Sequence, residues 1–287
     1  MKPDSSSKGS TYGGWSVTME TLSRGFAAFV ERVIPTGAWE RARNLYRSSP
    51  WLRRTASRFL GRRFQDPTVK LDSQFLGSAY GGRAVHLEAL SPASIVYSFG
   101  VGQDVTFDLA LIELVGCEIN AFDPTPFSTQ WIERQQLPAR FKFHKLGVAA
   151  TDGTVDFHYP DDDASVSFSQ RPESASATLR TVSCPVSAVS TIMRQLGHDR
   201  IDLAKFDIEG FEYEVVRSLV RDKVRPLFIM IEFHHGVYGI TKSMTRQSAQ
   251  ELLSYGYGIY WISDLGREYG FVDLGSEFMK RRSNNSR

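Results

Sequence analysis

The sequence predicts an α/β fold built on a mostly parallel sheet flanked by helices, and three observations carry that prediction. From about residue 92, short apolar runs alternate with helix-like segments, which is how strands joined by crossover helices look in sequence. The first run, Ile95–Phe99, stops on Gly100-Val101-Gly102, and a helical stretch opens at Asp104. An acid, Asp123, closes the next apolar run about twenty positions on, a spacing typical of nucleoside-binding sheets.

The elements follow in chain order. Residues 1–14 are rich in Ser, Gly and Lys and predict a disordered tail. Residues 15–91 read as a basic helical N-terminal extension, with helices over 17–63. Phe26, Phe29, Val30 and Val33 form one stripe there, and eight arginines between Arg41 and Arg63 alternate with aromatic and aliphatic residues. Such a segment predicts either a cap with solvated arginines or peripheral membrane contact through residues 15–66. The main domain spans 92–276. After Ile95–Phe99 come a helix at Asp104–Val115, a strand at Cys117–Phe122 and a helix at Ser128–Gln135. A strand at Phe141–Val148 follows, and Asp152-Gly153 predicts a hairpin turn into Val155–Tyr159. Residues 160–177 are polar and loop-like. Leu179–Val186 reads extended and Val189–Leu196 helical, ending at Gly197. Ile201–Phe206 and Leu227–Phe233 are buried strands around a helix at Tyr213–Val220. A helix at Arg246–Tyr255 and a hairpin of Tyr257–Ile262 with Tyr269–Leu274 close the domain. The basic residues 277–287 predict a frayed tail.

Composition narrows the class. The chain has 287 residues, is 41% hydrophobic and 23% charged, and carries a net charge of +2. That is an ordinary globular balance, with no nucleic-acid partner expected. Two cysteines, Cys117 and Cys184, exclude a disulfide scaffold and point to a cytoplasmic protein, membrane-peripheral if the arginine-rich segment docks. No run is long and apolar enough to span a bilayer.

The candidate site residues sit where strands end. Gly100 and Gly102 let backbone approach a ligand, and the next helix offers free N–H groups. Val105 stands where a dinucleotide fingerprint has its third glycine, which argues against NAD and for a cofactor without a diphosphate. Asp123, stiffened by Pro124, can accept ribose hydroxyls; alternatively it forms an Asx turn. Lys205-Phe206-Asp207-Ile208-Glu209-Gly210 ends another strand. Asp207 and Glu209, two apart, can point to one side, while Glu209 and Glu212 also suit a helix start. Glu232 and His234 end the next strand as candidates for a general base. The adjacent His234 and His235 splay, so metal ligation is not expected.

The stretches Tyr97-Ser-Phe-Gly-Val-Gly, Ala121-Phe-Asp-Pro, Phe143-His-Lys-Leu-Gly-Val-Ala and above all Ala204-Lys-Phe-Asp-Ile-Glu-Gly-Phe-Glu resemble the FkbM family of methyltransferases over about residues 94–275. The resemblance implies a Rossmann-like class I methyltransferase fold: a seven-stranded, mostly parallel sheet whose last strand enters antiparallel. It implies S-adenosyl-L-methionine as cofactor. Gly100 and Gly102 would then flank its methionine and ribose parts, Asp123 would hold the ribose, and Val148 and Ala149 would lie near the adenine. Asp207 would approach the transferred methyl. The family usually carries an acid where this chain has Ser98, and Asp104 is near enough in sequence to substitute. O-methylation of a sugar, glycolipid or natural product is the implied reaction, with a small-molecule or glycan acceptor. The alternatives are a methyltransferase-like binding module that works through its arginine-rich helices, and an NAD-dependent oxidoreductase.

Overall fold

A computed structural model describes residues 65–160, 179–237 and 239–285. The helical reading of 17–63 and the docking segment up to residue 64 lie outside the described residues.

The described chain opens with two short antiparallel strands, β1 (Gln74–Leu76) and β2 (Arg83–Val85), followed by a 3-10 turn at Leu87–Ala89. Sequence reading placed this stretch in a helical extension. Three-residue strands are too short to show a period.

β3 (Ile95–Phe99) leads into α1 (Thr106–Val115). Asp104 starts α1 by accepting from Thr106 N at 2.9 Å and Thr106 Oγ1 at 2.6 Å. Gly116 ends it in the left-handed region at φ 76°. β4 (Glu118–Phe122) precedes α2 (Pro126–Ile132). This helix begins earlier than its apolar pattern because Thr125 caps it, accepting from Ser128 N, and Pro126 supplies the first turn.

The predicted strand Phe141–Val148 is two strands. β5 (Phe141–His144) stays in the main sheet, whereas β6 (Gly147–Val148) joins a smaller one. A tight turn from Leu146 N to His144 O separates them, and Gly147 then packs so closely on Pro124 that a Cβ would lie 3.0 Å from its ring. The expected hairpin at Asp152-Gly153 is also corrected. β7 (Gly153–Pro160) does not pair with β6; both pair with β8 (Leu179–Ser187). Asp152 instead caps α3 (Val189–Leu196), accepting from Ala188 N and Thr191 Oγ1, each at 2.9 Å.

β9 (Leu203–Phe206), α4 (Glu212–Arg221), β10 (Phe228–Glu232), α5 (Lys242–Ser254), β11 (Tyr257–Ile262) and β12 (Glu268–Asp273) complete the domain. The main sheet runs β11-β12-β10-β9-β3-β4-β5, with β12 antiparallel to both neighbours and the other adjacent pairs parallel. The final segment is not a frayed tail. Residues Glu277–Asn285 form α6, held because Phe278 and Met279 pack on the core and Phe278 meets the rings of His86 and Phe228.

Period-two alternation sorts the core. Val96, Leu203, Phe228 and Met230 face α1, with Phe107 and Leu111 against them. Phe99, Phe206, Ile229 and Ile231 face α3, α4 and α5. The α1 face therefore also receives Ser98, Lys205 and, at the strand ends, Asp207 and Glu232.

Candidate active site

The carboxyl ends of β3, β4 and β9 surround a cavity of about 250 Å³. Gly100, Gly102, Asp104, Asp123, Pro124, Val148, Asp207 and Glu209 line it. Ser98, Ala149, Glu232 and His234 do not: Ser98 is buried beneath the glycine loop, Ala149 packs with Phe157, Cys184, Val186 and Phe211, and Glu232 and His234 adjoin the lining through Arg83, Asp207 and Glu209.

The two glycines have different reasons. At Gly100 (φ 73°) a Cβ would lie 1.7 Å from the Asp207 carbonyl oxygen, so this glycine lets the β3 and β9 loops touch. At Gly102 (φ 53°) a Cβ would meet nothing within 4 Å, so its side opens on empty space. Gly102 N donates to Asp123 Oδ2 at 3.0 Å, while Asp123 Oδ1 accepts from Thr125 N at 2.9 Å and Thr125 Oγ1 at 2.7 Å. The Asx turn is thus present, and the same carboxylate braces the glycine loop. An oxygen accepting one bond keeps a second lone pair for a ligand.

Asp104 is tied to the β1–β2 turn through Ser78 Oγ at 2.5 Å. Burial opposes its charge, but donors from Ser78, Thr106 and Gly81 outweigh that and hold it below the ordinary carboxylate range.

The second cluster joins β2, β9 and β10. Arg83, 2% exposed, donates to Asp207 Oδ2 at 2.9 Å and to Glu232 Oε2. Burial, and next the neighbouring Asp207 charge, push Glu232 up to about 7. Glu212, buried at the start of α4, accepts from Ile208 N, from Gly210 N and from His234 Nδ1 at 2.8 Å. His234 Nε2 lies 3.4 Å from Glu209 and 3.7 Å from Asp207. Burial disfavours its cation, but Glu212, Glu209 and Asp207 together raise it to about 10. These three carboxylates therefore favour the imidazolium form of His234. His235 turns away to Thr245 Oγ1 at 3.1 Å, and burial lowers it to about 4. Glu209 has φ 51°, a left-handed conformation that costs a non-glycine residue about 1–2 kcal/mol. Strain of this kind concentrates at functional sites.

Sequence reading missed Arg83, which fell in the stretch assigned to the extension; its flanking Gly82 and Ala84-Val85 were the available signal. It also missed Tyr80, Lys205 and the aromatic walls Phe127, Phe157 and Phe211. Tyr80, 78% exposed as a residue, lies near Asp207, Glu209, Glu232 and Asp104; local desolvation of its hydroxyl, then these charges, raise its phenol. Cys117 and Cys184 are buried free thiols pushed up by burial, as expected of inert ones. Among the described residues no group of His, Cys, Asp and Glu could hold a metal, and no helix could cross a membrane.

A seven-stranded sheet with a single antiparallel strand, and a ligand cavity at its carboxyl edge under a glycine loop, define the class I methyltransferase fold. Within that class the family is plain. The methyltransferase FkbM domain model matches residues 94–259, and the chain belongs to that family. "Probable methyltransferase-like protein 24" of Homo sapiens is 28% identical over 129 residues, covering 45% of this chain and 29% of that protein. Its Rattus norvegicus counterpart is 27% identical over the same shares. This chain thus spans less than a third of these relatives' length. A Methanococcus jannaschii fibrillarin pre-rRNA processing protein superposes with a TM-score of 0.41 at 9% identity, covering 75% of this chain and 88% of that one.

Proposed function

We propose that the protein is an S-adenosyl-L-methionine-dependent O-methyltransferase acting on a hydroxyl of a sugar, glycolipid or natural product. The observation that carries this reading is the cavity's charge and shape. Asp104, Asp123, Asp207 and Glu209 line it against one lysine, an excess that suits a cationic sulfonium. The open side of Gly102 leaves room for a nucleoside, and Phe127, Phe157 and Phe211 offer apolar walls for its base.

Bound there, the cofactor would supply a methyl group already activated for displacement. Asp123 would hold the ribose with the spare lone pair of Oδ2. Asp207 and Glu209 would orient the acceptor hydroxyl from the cavity wall. The proton released as the new C–O bond forms would pass to the Asp207–Glu232 pair. Glu232 is its resting place, since it titrates near neutrality and a base works best there. His234, already protonated, would act as a fixed counter-charge for Glu209 and Asp207. Arg83 would keep the two carboxylates side by side.

Calorimetry on the full chain with S-adenosylmethionine and with NAD tests the cofactor, and labelled-methyl transfer to glycans, lipids and small alcohols tests the acceptor. Binding of NAD alone overturns the proposal. Binding of neither favours a binding module. Peripheral membrane contact through residues 15–66 and a cytoplasmic site of action belong to the same proposal. Liposome co-sedimentation of the full chain, with and without those arginines, checks the first.

A further inference from the structure

Three buried polar side chains beneath the glycine loop are unused by the chemistry above. Ser98 and Asp108 are fully buried, and Lys205 is 2% exposed. Ser98 and Lys205 are register partners on the adjacent parallel strands β3 and β9, so their side chains share the face that α1 covers. α1 places Asp108 against that face. Among the described residues, neither Asp108 carboxylate oxygen nor Ser98 Oγ has a hydrogen-bond partner. Burial holds the Asp108 carboxyl above its ordinary value; the Lys205 charge, then the nearby Ser98 hydroxyl, offset part of that rise. The hydroxyl is thus close to Asp108 but outside bonding geometry. Lys205 is the one member of the three that reaches the cavity.

Buried polar groups are nearly always satisfied, and a buried ammonium needs a counter-charge. Asp108 supplies one from behind. An ammonium has three donors and so can serve a second anion in front. The cofactor proposed above ends in an α-amino acid, whose carboxylate is its sole anionic group.

Resting on that cofactor reading, we infer that Lys205 binds the carboxylate of the cofactor's amino-acid end, and that Asp108 on α1 is the positioning residue that holds it. Ser98 is small and uncharged because an acid there would confront Asp108 over the same lysine. The acid absent from the strand is present on the helix that covers it.

The test compares S-adenosylmethionine with its decarboxylated analogue by calorimetry on the full chain. The wild type should prefer the carboxylate form by about tenfold or more, as one desolvated charge-assisted contact gives. Lys205→Met should bring the two affinities within about twofold, mainly by weakening S-adenosylmethionine. If Lys205→Met alone unfolds, Lys205→Met/Asp108→Asn removes both charges together and should give the same ratio. An unchanged preference in these variants overturns the assignment while leaving the cofactor reading intact. Failure of the wild type to bind either compound overturns both. The role of Asp108 has its own readout in thermal unfolding without ligand. Asp108→Ser and Ser98→Asp should each lower Tm, and the double variant should recover at least half of the summed loss. Additive losses would refute the exchange.

Discussion

Asp123 and Asp207 both stand just past the end of a parallel strand and both line the cavity, yet their surroundings differ in kind. Asp123 is held by neutral donors: Gly102 N, Thr125 N and Thr125 Oγ1. Asp207 is held by a buried guanidinium that it shares with Glu232, and it faces the His234 cation. The first arrangement fixes a shape. The second balances charges, and one member, Glu232, is left close to titration at about 7. On the proposed function, what surrounds each carboxylate would give binding to the β4 side of β3 and proton transfer to its β9 side.

The comparison breaks most decisively at Glu232. Glu232→Gln should lower methyl transfer by about 10²–10⁴-fold, the usual range for a general base, while leaving cofactor affinity nearly unchanged. In the wild type the rate should rise with pH through about 7, because the base must be deprotonated, and the variant should lose that rise. A flat wild-type profile over pH 5.5–8.5 would remove Glu232 from the role.

Arg83 should matter most for the fold. Arg83→Met leaves two half-buried carboxylates facing each other, and removing one partner of a buried pair costs about 3–5 kcal/mol. Denaturant unfolding at pH 8 measures this. Arg83→Lys should recover part of the loss, since a single ammonium spans two acceptors less well than a fork. A loss under about 1 kcal/mol would mean that the acids do not depend on it.

Asp123→Asn keeps a side-chain oxygen for Thr125 but loses the charge. It should weaken cofactor binding by roughly tenfold, about 1.4 kcal/mol, with little change in Tm. Asp123→Ala should lower both, because the glycine loop then loses its brace. Equal effects of the two variants would make Asp123 a purely structural residue.

A separate effect, read on stability alone, concerns His234. A histidine raised from 6.5 to about 10 contributes stability that is fully present below pH 6.5 and is lost as pH rises through 10. The wild-type Tm should therefore fall between pH 7 and 10 relative to His234→Gln. Parallel curves would contradict the charged imidazole.

Much of this was legible from residues alone. β11 and α3 fall where their apolar periods predicted, and the closing pair of runs forms the antiparallel hairpin expected of it. What failed did so for local reasons. The apolar run 141–148 hides a turn that depends on Gly147 meeting Pro124. Asp152-Gly153 is read as a hairpin when viewed locally, but the strand both neighbours pair with lies some thirty residues on. The C-terminal residues look frayed by charge, yet Phe278 and Met279 find the core.

The sequence by itself determined the fold class, the strand-end positions of the acids and the glycine loop, because hydrophobic period and backbone permissiveness are local properties. Tertiary structure alone decided what those acids are. Arg83 reaches Asp207 and Glu232 across 124 and 149 positions, and Asp108 feels the Lys205 charge only because a helix lies over two paired strands. Charge balance in a low-dielectric interior depends on distance and burial, and neither is written in the order of residues.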